Sequence, residues 1–151
     1  MYILDASVLI YAFRRDAPQQ PACYTWLSQA LARGRRVGVP GWVELAVLRI
    51  NTLPSLGRQR VKPKEIFAFL YALRMQPAYE LVEPGAAHLS ILENLCLGLN
   101  LLGNEVNDAF LAALALERGA TLVSADRGFE RFAGLRWLDP LDHPGEPRLL
   151  E

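Results

Sequence analysis

The sequence predicts an α/β fold in which a central parallel sheet of four to five strands carries helices on both faces. Short apolar segments rich in β-branched residues alternate along the chain with longer segments of helical periodicity. This alternation is typical of a parallel sheet crossed by helices. The 151 residues are 52% hydrophobic, which is ample for a packed core and suits one domain.

The first part of the chain contains two strands separated by helices. Residues 2–4 are apolar and β-prone, and a helical pattern begins directly after Asp5. Residues 20–33 have the spacing of an amphipathic helix, which Gly34 ends. The apolar residues 37–39 then predict a second short strand.

The middle of the chain is predicted to hold two helices and a third strand. Residues 42–50 form an apolar helical segment, and residues 51–62 are a basic loop or a broken helix. Pro63 is placed to start the next helix, over residues 64–75. A short strand follows at 79–82.

The last part repeats the pattern and ends in a tail. Helices are predicted at 86–99 and 105–118, and strands at 121–123 and 135–138. The first of these helices has an apolar stripe that consists of Leu89, Leu92, Leu95, Cys96 and Leu99. Residues 139–151 carry three prolines and are expected to fray.

Composition excludes several classes of protein. No segment approaches the roughly 20 apolar residues that a membrane span needs, and no secretory signal opens the chain. The two cysteines, Cys23 and Cys96, have no metal-binding spacing. We therefore expect a cytoplasmic protein with reduced thiols and no membrane partner.

Charge is distributed unevenly although the formal net charge is zero. Residues 1–64 contain ten Lys and Arg against three acids, whereas residues 65–151 contain six against thirteen. A basic half favours binding of an anionic ligand. Charge alone is equally compatible with an ordinary solvated surface.

Four acids occupy comparable positions near the predicted strand ends. Asp5 and Asp126 each follow a strand, and Glu44 and Asp108 each lie in the first turn of a helix. Ligands bind at the carboxyl edge of a parallel sheet, and all four side chains can converge there. Each acid also has a purely structural explanation as a helix cap or as compensation of the helix dipole, so the functional argument depends on the four together.

Clustered carboxylates repel one another and raise one another's pKa values, and a hard divalent cation relieves that repulsion. Mg²⁺ and Mn²⁺ prefer carboxylate oxygens and water, often with a substrate phosphate completing the shell. Such cations activate water and stabilise charge in phosphoryl transfer. The acids together with the basic half therefore point to phosphoryl chemistry on a polyanionic substrate.

Four segments of the sequence resemble one known family. They read LDASVLIYA, VPGWVELAVLR, NDAFLAALALERGATLVSADRGFERF and GLRWLDPL, and they cover nearly the whole chain in order. They resemble the PIN-domain nucleases, and among these the VapC-type toxins of bacterial toxin–antitoxin pairs. The resemblance implies a single three-layer α/β/α domain over residues 1–138, with a Pro-rich tail over 139–151.

The resemblance also implies an activity and a set of site residues. It implies a Mg²⁺- or Mn²⁺-dependent endoribonuclease that a small antitoxin inhibits. Together with the apolar residues of 42–56 and 66–73, it suggests a homodimer. The family's acidic positions fall on Asp5, Glu44, Asp108 and Asp126, as metal ligands and catalytic groups. The supporting polar positions are Ser7 and Ser124, for water or phosphate, and Asn107, for orientation.

The chain departs from the family at one position. Many relatives carry a second acid two residues after the last one, in the pattern Asp-x-Asp-Phe. This chain reads Asp126-Arg127-Gly128-Phe129, so a second metal site would be weaker here.

Two alternatives remain open at this point. A Mg²⁺-dependent phosphatase would need an Asp-x-Asp pattern that Asp5 lacks. A non-catalytic RNA-binding or nucleotide-binding module is the other, although the sequence has neither G-x-G-x-x-G nor G-x-x-x-x-G-K-[ST]. Candidates for contact with an RNA backbone are Arg14, Arg15, Arg35, Arg36, Arg58, Arg60, Lys62 and Lys64.

Overall fold

The computed structural model describes residues 1–142 and 144–151, and it contains strands and helices in alternation. The strands are β1 (Tyr2–Leu4), β2 (Val37–Val39), β3 (Tyr79–Leu81), β4 (Thr121–Val123), β5 (Arg136–Leu138) and β6 (Arg148–Leu149). The α-helices are α1 (Ala6–Phe13), α2 (Gln20–Ala32), α3 (Gly41–Asn51), α4 (Pro63–Arg74), α5 (His88–Leu99) and α6 (Glu105–Arg118). Two 3₁₀-helices span Pro54–Gln59 and Arg127–Arg131.

The strands form one sheet in the order β3-β2-β1-β4-β5-β6. The first five strands of this order pair in parallel, as the sequence predicts. Helices α1 to α4 form one connected group by contact, and α5 packs on α6. Because crossovers between parallel strands are right-handed, and because the chain turns from β3 back past β1 to β4, the two groups of helices cover opposite faces. The fold is therefore the three-layer α/β/α arrangement.

The sixth strand corrects the expectation for the tail. Strand β6 pairs antiparallel with β5, and Leu150 exchanges backbone hydrogen bonds with Gly134 (2.8 Å) and Leu135 (2.9 Å). The Leu150 side chain is buried. The prediction that the tail frays is thus wrong for residues 148–150, because one apolar side chain and the free edge of β5 hold them. Residue 143 lies outside the described residues, and the boundary at 138 stays a prediction.

Helix α5 corrects a second expectation. Its predicted apolar stripe packs against the core only through Leu92, Leu95 and Cys96, which are half-buried. Leu89 is 75% exposed, and Leu99 is also exposed. The reason is that α5 makes its main contacts with α6 alone, so a narrow strip of its surface is covered.

The other predicted elements agree with the structure to within a few residues at their ends. The segment predicted as a loop or broken helix is the first 3₁₀-helix, interrupted at Gly57, whose φ is +53°. Gly119 ends α6 in the left-handed conformation at φ +57°, which glycine adopts without strain. Both Cys23 and Cys96 are free thiols. None of the helices in the described ranges has the length and apolar character of a membrane span.

Candidate active site

The site begins where β1 and β4 end side by side. The two strands pair in register from Tyr2 to Leu4, and the next amide, that of Asp5, donates to the Val123 carbonyl at 2.9 Å. Asp5 therefore lies directly beside Ser124, the residue that follows β4. Parallel pairing alone places these two side chains at the carboxyl edge of the sheet.

The Asp5 carboxylate serves the fold and the site with different oxygens. Its Oδ1 accepts the backbone N–H of Ala6 at 2.7 Å, which caps α1. Its Oδ2 accepts the hydroxyl of Ser7 at 2.6 Å and that of Ser124 at 2.8 Å. The structural and the functional explanations of Asp5 are consequently compatible, because the capping bond leaves Oδ2 facing the two hydroxyls.

The two serines extend this network to the loop after β4. The Ser124 hydroxyl accepts the Asp126 amide at 3.0 Å, and the Ser7 hydroxyl accepts the Ala125 amide at 3.3 Å. The Asp126 carboxylate in turn accepts the Gly128 amide at 2.7 Å and begins the second 3₁₀-helix. Asp126 is thus fixed by its own turn, next to the hydroxyls that hold Asp5.

Asp108 reaches the same region from the first turn of α6. Burial raises the pKa of its carboxyl, the negative charges of Asp126 and Asp5 raise it further, and Arg131 opposes the rise. Arg131 donates to the Asp108 carboxylate at 2.5 Å and to Glu105 at 2.7 Å. Asp5 and Asp126, from two other segments of the chain, therefore lie near enough for their charges to act on Asp108.

Glu44 makes a different set of contacts. From the first turn of α3 its carboxylate accepts two hydrogen bonds from the Arg74 guanidinium and one from the Tyr79 hydroxyl at 2.9 Å. Burial raises the pKa of Glu44, but the hydrogen bonds from Arg74 and Tyr79 and the Arg74 charge outweigh it and lower the pKa overall. Burial, followed by the hydrogen bond to Glu44 and the Glu44 charge, raises the pKa of Tyr79 to about 12, although Arg74 opposes the rise. Its role as a fourth ligand stays a prediction.

The donor chemistry of the aspartate group fits a hard divalent cation, because carboxylate and hydroxyl oxygens are the ligands that Mg²⁺ and Mn²⁺ prefer. The charges of Asp126 and Asp5 raise the pKa of Asp108, and a cation at this place would relieve that repulsion. The side chains are not at ligand spacing in this structure: within the described ranges, no three His, Cys, Asp or Glu side chains are arranged as metal ligands. Asp108 is instead paired with Arg131.

Three residues of the site could not be found from the sequence. Arg131, Arg74 and Tyr79 each contact a predicted acid, but they do so across 23 to 35 positions of the chain. No spacing rule signals such contacts, because packing between separate elements makes them. Asn107 is exposed beside Asp108 on α6, and its role stays a prediction.

Among residues 1–142 and 144–151, two of the eight predicted RNA-contacting residues have side-chain partners. Arg14 has a side chain only 12% exposed, and it donates to Asp16, to the Asn51 amide oxygen and to the Gln59 carbonyl. These bonds join the end of α1 to α3 and to the first 3₁₀-helix, so Arg14 is a poor candidate for contact with RNA. Arg36 pairs with Glu80 at the surface, where it stays accessible.

Comparison with known proteins places the chain in context. A family model described as PIN domain matches residues 2–135. The chain is 37% identical over 143 residues to a protein of Mycobacterium tuberculosis named ribonuclease VapC43, covering 94% of this chain and 97% of that protein. It is 36% identical over 140 residues to ribonuclease VapC31 of the same organism, covering 93% and 99%.

Solved structures share the fold at lower identity. VapBC2 from Rickettsia felis, bound to a DNA fragment from its promoter, superposes with a TM-score of 0.69 at 20% identity, over 91% of this chain and 97% of that one. VapBC-1 from nontypeable Haemophilus influenzae gives a TM-score of 0.66 at 16% identity, over 93% and 98%. The three-layer fold described above is therefore the fold of these chains.

Proposed function

The chain belongs to the PIN-domain family, and on that premise we propose that it is a metal-dependent endoribonuclease acting as the toxin of a type II toxin–antitoxin pair. Relatives named ribonucleases align with more than nine-tenths of its length. The observation that carries the proposal is the position of Asp5 and Asp126 beside the ends of β1 and β4, joined through Ser7 and Ser124, where their charges raise the pKa of Asp108. A set of this kind is suited to holding a divalent cation against a phosphodiester.

Each side chain then has a defined task. Asp5 and Asp126, held by the Ser7 and Ser124 hydroxyls and by the Asp126 turn, offer carboxylate oxygens that cannot swing away. Asp108 adds a third carboxylate from α6. A bound Mg²⁺ or Mn²⁺ would neutralise the scissile phosphate and lower the pKa of the attacking water.

Glu44 is the fourth ligand in this proposal, either directly or through water. To take that role, its carboxylate can use the position that the bonds from Arg74 and Tyr79 leave free, or exchange one of those bonds for the cation or for a water molecule. Either exchange is chemically reasonable, because a carboxylate has about four lone-pair positions and three of them are used here.

The test is cleavage of total cellular RNA by the purified protein with Mg²⁺, with Mn²⁺ and with EDTA. Asp5→Asn and Asp108→Asn are assayed beside the wild type, because both keep the side-chain volume and remove the charge. We expect discrete cleavage products with either cation, none in EDTA, and loss of about a hundredfold or more in both variants.

Other outcomes separate the alternatives. RNA binding without cleavage by folded, antitoxin-free protein would support a binding module. Hydrolysis of a small phosphomonoester without cleavage of RNA would support a phosphatase. Cleavage that persists in EDTA would exclude the proposed use of a metal.

We also propose that the chain forms a homodimer in the cytoplasm and binds a small antitoxin. Exposed apolar side chains on α3 and α4 support this: they are Leu45, Phe67 and Tyr71. The antitoxin would lay a segment across the acidic site, with a basic side chain in place of the cation. Light scattering at micromolar concentration tests the dimer, and a monomer would contradict it. Co-expression with the protein encoded by the neighbouring gene tests the antitoxin, and separate elution would contradict it.

A further inference from the structure

Arg131 is a positive charge inside the group of aspartates. Its guanidinium bridges Asp108 (2.5 Å) and Glu105 (2.7 Å), and its side chain is 28% exposed. The guanidinium carbon lies 5.2 Å from the centre of the Phe132 ring. Its Nε is buried and has no hydrogen-bond partner among the described residues. Arg131 is therefore held by the carboxylates at one end and by packing along its length.

The backbone of the second 3₁₀-helix brings Arg131 to the acids. The second 3₁₀-helix begins at the Asp126 turn, and Phe129 and Phe132 anchor it in the core at 1% and 0% exposure. Between them, the chain directs Arg131 toward α6. Gly128 has no side chain, and a Cβ built there would lie 3.6 Å from the Arg131 Nη2 atom. Nothing at position 128 therefore competes for this guanidinium.

Arg131 and the proposed divalent cation compete for the Asp108 carboxylate. In the structure its Oδ2 accepts Arg131, and in the proposed function the same carboxylate holds a divalent metal. Metal ligation and bidentate or bridging contact with arginine use the same carboxylate oxygens. The two contacts oppose each other, because a second positive charge beside Asp108 weakens binding of the first.

We propose that Arg131 is a positioning residue that neutralises Asp108 while no divalent cation is bound and releases it when the cation binds, so that Arg131 sets the metal affinity of the site. The inference rests on the proposed function. It gives the metal-free protein a counter-ion of its own and makes metal binding an exchange of one cation for another. Removal of Arg131 then destabilises the metal-free protein and tightens metal binding.

The experiment compares Arg131→Met with Arg127→Met. The two arginines lie in the same 3₁₀-helix, but Arg127 is 70% exposed and pairs with Asp142 at the surface. Mn²⁺ is titrated into each apoprotein by calorimetry, and thermal unfolding is recorded in EDTA and with saturating Mn²⁺. For Arg131→Met we expect a Kd for Mn²⁺ tighter by about tenfold, a lower Tm in EDTA and a larger Tm gain on adding Mn²⁺. Arg127→Met should match the wild type in all three.

Conservative variants make the result independent of folding. Arg131→Lys keeps the charge and should restore a Kd within about threefold of the wild type. Arg131→Gln keeps a hydrogen-bond donor without the charge, and it replaces Arg131→Met in the comparison if that variant does not fold. Its Kd should be tighter than that of Arg131→Lys.

The failures of the two proposals are distinguishable. A wild-type protein that binds Mn²⁺ in an Asp5-dependent manner, with an unchanged or weaker Kd in the uncharged Arg131 variants, would overturn the role of Arg131 and leave the nuclease intact. A wild-type protein that binds no Mn²⁺, or binds it equally well after Asp5→Asn, would overturn the metal site itself.

Discussion

Two acids near one edge of the sheet, Asp5 and Glu44, are held in opposite ways. Asp5 is fixed by a backbone amide and by two hydroxyls, all within a few residues of two strand ends. Glu44 is fixed by the guanidinium of Arg74 and the phenol of Tyr79, which come from α4 and β3. The donors around Asp5 carry no charge, whereas Glu44 already has a counter-ion in Arg74.

The difference shows two ways in which this fold holds a carboxylate, one without a counter-charge and one with it. Hydrogen bonds from hydroxyls orient a carboxylate and leave its charge uncompensated, so the charge stays available to a cation. An arginine compensates the charge, and the pair then contributes to stability instead. Asp108 lies between these two cases, because the charges of Asp126 and Asp5 raise its pKa and Arg131 lowers it.

The comparison predicts that Asp5 matters for activity far more than for stability. Asp5→Asn should lower RNA cleavage by about a hundredfold or more, since the charge that holds the cation is lost. Asparagine caps helices as well as aspartate does, so the free energy of unfolding in EDTA should change by less than about 1 kcal/mol. Cleavage assays and urea unfolding on the same preparations measure both. An Asp5→Asn variant that loses activity only because it unfolds would contradict this prediction.

Glu44 is predicted to contribute to stability in addition to its proposed role at the metal site. Glu44→Gln keeps the volume but leaves Arg74 and Tyr79 with a weaker, neutral partner, which should lower the free energy of unfolding by about 1–2 kcal/mol. The loss is smaller than for a fully buried pair because the Arg74 side chain is 45% exposed. The matched control is Glu80→Gln, whose partner Arg36 is at the surface, with an expected loss of under about 0.5 kcal/mol. Equal losses in the two variants would contradict the distinction.

The same contrast explains what the sequence could and could not predict. The positions of Asp5 and Asp126 follow from strand ends, which local apolar patterns reveal, and parallel register does the rest. The partners of Glu44 and Asp108 come from side chains 23 to 35 residues away, for which the sequence carries no local signal. Strand β6 escaped prediction for a similar reason, because two residues are too short for a pattern and pairing with β5 alone defines them.

The contribution of Glu44 to stability should depend on pH with a definite sign. Burial raises its pKa, but the bonds and charge of Arg74 and the Tyr79 hydroxyl leave it below the ordinary value of 4.5. A carboxyl with a lowered folded-state pKa stabilises the fold above its unfolded-state pKa, and that stability is lost as the pH falls through the folded-state pKa. The difference in unfolding free energy between wild type and Glu44→Gln should thus be full at pH 7 and shrink below pH 4.5. Urea unfolding across that range measures it, and a difference that grows on acidification would contradict the assignment.

Gly128 offers a test with a smaller expected effect, because it lies between the Asp126 carboxylate and the Arg131 guanidinium. A Cβ at this position would lie 3.0 Å from the Asp126 Oδ1 atom and 3.6 Å from the Arg131 Nη2 atom, so Gly128→Asp needs a shift of a few tenths of an ångström and then faces the guanidinium. The new carboxylate would draw Arg131 from Asp108 and add negative charge beside the cation. We expect cleavage at limiting Mg²⁺ to rise by about threefold to tenfold. Gly128→Asn, equal in size and neutral, should change it little, and an equal rise in both variants would assign the effect to the loop rather than to charge. A rise confined to Gly128→Asp would assign the effect to the added charge at position 128.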